Sequence, residues 1–269
     1  MKDENFEEYF SGKKLYGDDF NRKQIEAWFN DEKEGYSGLI SEAPYFYEFH
    51  ELNKIHGYNK IKRIKEFSKV LSFGGASGDE LLPIIDRIKE VIILEPSHKL
   101  RVGKIGGKKI EYISPNASGK IDLPEGSIDL ITCFAVLHHI PNISFVIQEL
   151  TRVLKKGGFI LLREPIVSMG DWRKERKGLT LRERGIPLNI FKQIILQNGL
   201  EILSEDRVLF PTTRRIWDIN NGFKKSKLVI YLDILLSKIF SWNKKYHATK
   251  AWHKIRPQSV FFVLRKKFV

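Results

Sequence analysis

Val70-Leu71-Ser72-Phe73-Gly74-Gly75-Ala76-Ser77-Gly78-Asp79-Glu80 carries an apolar β-run into a turn of small residues and out into a helical pattern. Small side chains at such a turn let the backbone approach a ligand closely and leave amides at a helix start. A dinucleotide fingerprint would need glycine at 76 and 79, where Ala76 and Asp79 stand. A phosphate loop would need Gly-Lys-Ser/Thr, which is absent. Asp79 and Glu80 would repel a pyrophosphate and tolerate a cationic ligand better. Seventeen positions after Gly78, Val91-Ile92-Ile93-Leu94 ends in Glu95-Pro96, a spacing that suits one helix and one strand. A carboxylate at that strand tip can accept both hydroxyls of a ribose. A helix cap or a surface glutamate is the plainer alternative.

From about Lys69 onward, short β-rich runs alternate with helical patterns, the signature of a parallel sheet covered by helices. Strands are expected at Lys69–Phe73, Val91–Leu94, Lys109–Ile113, Ile128–Phe134 and Phe159–Arg163. Helices are expected at Asp79–Lys89, Ser97–Val102, Ile143–Leu154 and Leu188–Asn198. Lys155-Lys156-Gly157-Gly158 reads as the basic, glycine-rich stop of the third of these. Leu200–Leu209 and Ser259–Lys266 read as two last strands, separated by far more chain than a hairpin needs. The pattern therefore predicts an α/β chain with residues 69–269 as one domain, carrying an insertion at 211–258. Residues 1–68 form an N-terminal helical extension with 14 of the 32 aromatics, among them Trp28, Phe29, Tyr36, Tyr45, Phe46, Tyr47 and Phe49. Those rings either close over a substrate or fasten the extension to the sheet, and the second is the commoner use of aromatic bodies.

Composition narrows the function classes. Cys133 is the single cysteine, which excludes an internal disulfide and fits a reducing, cytoplasmic setting. The start, with Lys2, Asp3, Glu4, Glu7 and Glu8, shows no apolar signal core, and no run reaches the ~18 apolar residues of a membrane span. Of the net charge of +13, all lies after Asp206: residues 207–269 hold 15 Lys+Arg against 2 acidic residues, and the rest is balanced. Such asymmetry points to an anionic surface or substrate, or to a solvated basic face.

Two further segments carry chemistry. Leu123-Pro124-Glu125-Gly126-Ser127-Ile128-Asp129 leads through a strand to Phe134-Ala135-Val136-Leu137-His138-His139. Glu149-Leu150-x-Arg152-Val153-Leu154-Lys155-x-Gly157-Gly158 precedes another apolar strand. With the Gly74–Gly78 turn and Glu95, these four features in this order resemble the class I S-adenosylmethionine-dependent methyltransferases, of the small-molecule type with a Leu-His-His motif. The resemblance covers Val70–Arg163 and extends less specifically to Leu188–Gly199.

That resemblance implies a Rossmann-like, doubly wound, seven-stranded sheet with its last strand antiparallel, here with an N-terminal helical cap and a helical insertion between the last two strands. It implies S-adenosyl-L-methionine as cofactor, with Gly74, Gly75, Ala76 and Gly78 along its methionine portion. Glu95 would hold the ribose, with Pro96, Asn116 and Ala117 near the adenine, and Phe134, Ala135 and His138 beside the cofactor. Two positions depart from the family pattern. Ser72 stands where an acidic residue is usual, and Ala76 where glycine is frequent; alanine costs little clearance provided its φ stays below zero.

His139 and Glu164 are the candidate bases for a hydroxyl acceptor. Trp172 and Arg173, in the Arg-rich stretch from Met169 to Pro187, are candidates for holding a phosphorylated or sugar-bearing acceptor. The expected function is O-methylation of a small or glycan-like acceptor, lipid-linked in one version. Carbon or nitrogen methylation of a quinone or lipid, and a non-catalytic cofactor-binding relative, are the alternatives. Nucleic acid is disfavoured, because no Asn/Asp-Pro-Pro-Tyr/Phe motif occurs and no catalytic motif surrounds Cys133.

The insertion holds 11 Lys+Arg against Asp218 and Asp233. Its Leu228–Trp242 run is strongly apolar, with Asp233, Ser237 and Ser241 as a narrow polar stripe. It suits peripheral contact with an anionic membrane at the inner face, or a lid helix packed on the domain.

Overall fold

The computed structural model describes residues 6–39 and 47–268, with backbone alone for 34–39 and Asn221. Lys2, Asp3, Glu4, Tyr45, Phe46 and the ring of Tyr36 lie outside the described residues. Buried runs form the central strands: β1 (Phe67–Phe73), β2 (Ile88–Leu94), β4 (Lys108–Ile113), β5 (Ile128–Phe134) and β6 (Leu154–Pro165), all mutually parallel. β8 (Ser259–Lys266) runs antiparallel between β6 and β7 (Leu200–Val208). A two-residue strand, β3 (Lys104–Ile105), pairs antiparallel with β4 at the edge. The order is β3-β4-β2-β1-β5-β6-β8-β7, so the expected seven strands are joined by one short eighth.

Three local differences have physical causes. The segment after the glycine turn is a 3₁₀ helix, Asp79–Arg87, with Pro83 inside it and no N–H there for an α-helical bond. Only a turn, His98–Leu100, stands where a helix was expected at Ser97–Val102, and the chain passes through Gly103 into the β3–β4 hairpin. Lys155–Gly158 is no helix stop. The helix α4 (Ile143–Val153) ends before it, and the four residues belong to β6, where a register shift opposite Ile128–Leu130 absorbs them.

Each face of the sheet has its own core. Leu71, Ile131, Cys133, Leu162 and Phe262 face α4 and α5 (Leu188–Gln197). Val70, Leu130, Leu161, Phe261 and Val263 face α3 (His50–His56), the 3₁₀ helix and the insertion. The N-terminal α1 (Phe6–Phe10) and α2 (Arg22–Leu39) join through a third, aromatic cluster. In it Trp172 stacks on Tyr16 with ring centroids 5.4 Å apart and on Phe10 at 4.5 Å, and the buried Trp28 packs on Tyr16. No helix is long and apolar enough to cross a membrane among the described residues.

The insertion leaves from the end of β7 as α6 (Pro211–Ile219) and α7 (Lys227–Ile239). Its polar stripe is turned inward. Asp233 is fully buried and accepts the backbone N–H groups of Leu209 at 2.9 Å and Phe210 at 2.7 Å, together with the Thr213 hydroxyl. Leu209 has φ +63°, a left-handed conformation that costs a branched residue ~1–2 kcal/mol and that these bonds hold in place. Asp233→Ala should therefore lower stability by roughly 1–3 kcal/mol, because two amides and a hydroxyl lose their buried acceptor. A urea unfolding midpoint equal to that of the unaltered protein would contradict this anchoring role.

Candidate functional site

The parallel strands β1, β2 and β5 end at one edge, and a cavity opens there. Phe73 and Gly74 line it from β1, Leu94, Glu95 and Pro96 from β2, and Ala135, Val136 and His139 from the turn after β5. Pro115, Asn116 and Ala117 form one side, and α2 supplies Phe29, Glu32 and Lys33 from above. Gly74 has φ +69°, and a Cβ on it would run into the Val136 side chain at 2.6 Å. The backbone can come this close to the β5 turn only without a side chain at that position.

Glu95 is 2% exposed, and its two oxygens accept from Ser97 N at 2.8 Å and Ala76 N at 3.1 Å. Burial raises its carboxyl pKa, against the pull of those amides and Arg101. A carboxylate oxygen accepts more than one bond, so capacity remains on the cavity side. Ala76 has φ +52°, so the condition of a negative φ is not met. Its left-handed conformation is held at the amide by Glu95 and at the carbonyl by the Tyr112 hydroxyl, 3.2 Å away.

Gly75, Ala76 and Gly78 shape the turn from behind and do not line the cavity. A Cβ on Gly75 would overlap the Ser72 hydroxyl and crowd the Glu80 carboxylate. This explains the Ser72 departure. Ser72 donates to Glu80, Thr132 donates to the same oxygen at 3.3 Å, and the Tyr58 hydroxyl donates to the Glu80 carbonyl at 2.7 Å. The acid missing from the end of β1 is thus supplied one turn later, from the 3₁₀ helix.

After β5, the fully buried Glu164 accepts the N–H groups of Val136 and Leu137 at 2.8 Å each and of His138 at 3.3 Å, and bonds His138 Nδ1 at 2.9 Å. It does not reach the cavity, so its expected place beside the acceptor is corrected: its oxygens hold the turn. His138 is buried behind that turn, and Phe134 packs against Phe261 and the Arg163 guanidinium. Burial lowers the His138 pKa, with His139 adding to the shift.

His139 does line the cavity, and its partner carries no signal along the chain. Glu32, from α2, bonds His139 Nδ1 at 2.6 Å, and also accepts from Thr180 Oγ1 at 2.6 Å and Arg182 N at 2.8 Å. Burial opposes ionisation of Glu32, but the bonds from His139, Thr180 and Arg182 hold its pKa below the ordinary value. Trp28 Nε1 donates to the His139 carbonyl at 2.7 Å, and the buried Arg184 caps the carbonyls of Tyr16, Ile140 and Pro141. The residues from 169 to 187 therefore clamp α2 onto the histidine turn.

Trp172 and Arg173 are not brought to the cavity. Trp172 is buried in the aromatic cluster with its Nε1 on the Ser168 carbonyl, and Arg173 makes a two-pronged pair with Asp171 over Phe6 and Phe10. His138, His139 and Glu183 present ligand-type atoms within 4.8 Å of one another, yet hydrogen bonding accounts for the set. His138 serves Glu164, His139 serves Glu32, and Glu183 accepts from Thr180.

Residues 71–162 match the family model described as a methyltransferase domain. A ubiquinone biosynthesis O-methyltransferase of Shewanella pealeana is 39% identical over 54 residues, 20% of this chain. The chain spans 23% of the length of that relative. A solved S-adenosylmethionine-dependent methyltransferase of Archaeoglobus fulgidus superposes with a TM-score of 0.51 at 14% identity, over 81% of this chain and 94% of that one. One from Mesorhizobium loti gives 0.50 at 14%, over 76% and 92%. The fold is that of these solved S-adenosylmethionine-dependent methyltransferases, and residues 71–162 match the methyltransferase-domain model within it.

The cavity fits that cofactor on its own terms. A carboxylate such as Glu95 can accept ribose hydroxyls, Leu94, Pro96 and Pro115 offer apolar flanks to a purine, and the lining carboxylates Glu95 and Glu32 suit a cationic sulfonium.

Burial raises the Glu80 carboxyl from its ordinary 4.5 to about 7. In that window the folded chain holds a proton that the unfolded chain releases, so Glu80 makes stability fall as pH rises from 4.5 to 7. Glu80→Gln, a neutral isostere, should flatten this fall. The stability difference between the two proteins should change by on the order of 3 kcal/mol across the window, read from urea unfolding at several pH values. Parallel profiles would contradict the buried acid.

Proposed function

We propose that the protein transfers the methyl group of S-adenosylmethionine to an oxygen of a small acceptor that enters between α2 and the β5 turn. The observation that carries the reading is the meeting of Gly74, Glu95 and the Glu32–His139 pair on one cavity. When bound, the sulfonium supplies an electrophilic methyl group and leaves as a neutral thioether. The chain's own part is mainly alignment, an effect worth ~7–11 kcal/mol in well-oriented reactions.

Glu32 accepts the Nδ1 proton of His139, which sets the tautomer in which Nε2 is the basic nitrogen. Nε2 would take the proton from the acceptor hydroxyl as its oxygen attacks the methyl carbon. Glu32, ionised at neutral pH, offsets the charge that then forms on the ring. A phenol or other hydroxyl is the acceptor this pair suits, and a small or saccharide acceptor remains within the reading. The Shewanella relative acts, by its name, in ubiquinone biosynthesis, which supports a hydroxylated aromatic ring as the first class to test.

Methyl-labelled S-adenosylmethionine with a panel of phenolic and glycosidic hydroxyl compounds tests the proposal. His139→Ala should lower kcat by ~10²–10⁴ while S-adenosylhomocysteine affinity stays within about threefold. Glu32→Gln should lower kcat less and shift the pH–rate profile, as expected of a residue that acts through the histidine. Unchanged turnover in both variants would exclude the pair as the base.

A further inference from the structure

α7 is amphipathic in the reverse sense from an ordinary surface helix. Its buried side holds Val229, Ile230, Asp233 and Ser237, and its outer side holds Leu228, Tyr231, Leu232, Leu235, Ile239 and, just beyond, Trp242. The five positions within α7 advance by three, one, three and four, which places them on one stripe of the helix, and Trp242 follows in the turn beyond it. Leu228 is 79% exposed and Trp242 64%, so the stripe faces solvent. Asn243 donates to the carbonyls of Trp252 and Ile255, which brings two more exposed apolar side chains beside the end of α7. Contiguous exposed apolar surface of this kind marks an interaction site.

Charge says what covers it. Lys225, Lys227, Lys238, Lys244 and Lys245 flank the stripe, all exposed, and none is in an ion pair among the described residues. Asp233, one of the two acids of the insertion, is spent inside on Leu209 and Phe210. A second copy meeting this face about a twofold axis would set these lysines against the same lysines, which disfavours a homodimer. An anionic lipid surface accepts both the rings and the charges.

We propose that the outer face of α7, with its flanking lysines and Trp252, docks on an anionic lipid bilayer. At 13 residues α7 is about 20 Å long, shorter than the ~30 Å hydrocarbon core, so it lies in the interface plane and does not cross. β7 runs parallel to β1, β2 and β5, so the insertion hangs from the edge of the sheet at which the cavity opens. The insertion and the cavity mouth therefore leave the sheet at the same edge. An acceptor held in the membrane would be taken up there. That uptake rests on the proposed methyl transfer; the docking does not.

Co-sedimentation of the full chain with vesicles tests it. Vesicles of phosphatidylglycerol and phosphatidylcholine in equal parts should bind the protein, and pure phosphatidylcholine should bind it at least tenfold more weakly. Lys244→Glu with Lys245→Glu should weaken binding by about 25-fold or more, since each basic residue contributes about fivefold on an anionic surface. Leu235→Glu with Trp242→Glu should abolish binding while the thermal midpoint stays unchanged, both side chains being exposed. Equal binding to neutral vesicles, or wild-type binding by the Leu235/Trp242 variant, would overturn the proposal. So would a concentration-dependent dimer, lost in that variant, with no vesicle binding. None of these readouts depends on turnover, so failure here leaves the methyltransferase reading standing, and the reverse.

Discussion

The carboxylate of Glu164, with no solvent exposure, gathers three successive backbone amides and an imidazole around itself at the end of β6. Those amides belong to the turn that leaves β5. Ala135, at the start of that turn, sits at φ +61°, and His139 at its end faces the cavity. A buried carboxylate must be solvated by the protein, and backbone N–H groups are the least adjustable donors available. The requirement to satisfy Glu164 thus fixes the direction of the chain where the β5 turn enters the cavity wall. Arg184 does the complementary work on the carbonyls of the same turn, from Leu137 to Pro141. Between an anion below its amides and a cation beside its carbonyls, the turn has little freedom, and α2 is fastened to it through Trp28 and Glu32.

Much of this frame could be read along the chain, because its signals are local. The apolar runs that became β1, β2, β5 and β8 are continuous, and the glycine turn and Glu95 lie within one strand–turn–strand unit. Glu95, Pro96, Asn116, Ala117, Ala135 and His139 do line one cavity with Gly74. Contacts between distant segments were not legible. Glu32 lies mid-helix, 107 positions from His139, and nothing in its neighbours distinguishes it from a solvated acid. The Ser72–Glu80 exchange had a faint signal: a missing acid at 72 and a surplus acid eight positions later. Trp172 and Arg173 misled because a tryptophan beside arginines reads the same whether the ring meets a ligand or, as here, Tyr16 and Phe10.

The insertion shows the same limit from another side. Spacing alone revealed a polar stripe and a wide apolar face on α7, but not which of them the protein would keep. The stripe went inward because Leu209 and Phe210, where the chain turns out of β7, present two amides that need an acceptor, and Asp233 is that acceptor. Satisfying the backbone at the sheet edge therefore exposes the leucines. The helix does pack on the domain, through Val229 and Ile230, and still offers its larger apolar side to the surroundings. The basic excess of the C-terminal quarter then surrounds an apolar face instead of coating a polar one.

In the proposed reaction the cavity beside Gly74 holds the cofactor, with Glu95 on the ribose. Isothermal titration calorimetry with S-adenosylhomocysteine, on the unaltered protein and on Glu95→Ala, tests it most directly. Hydrogen bonds to a charged acceptor contribute roughly 1.5–3 kcal/mol each, so the unaltered protein should bind and the variant should lose about tenfold to several hundredfold in affinity. No binding by the unaltered protein, or equal affinity in a folded Glu95→Ala variant, would contradict it.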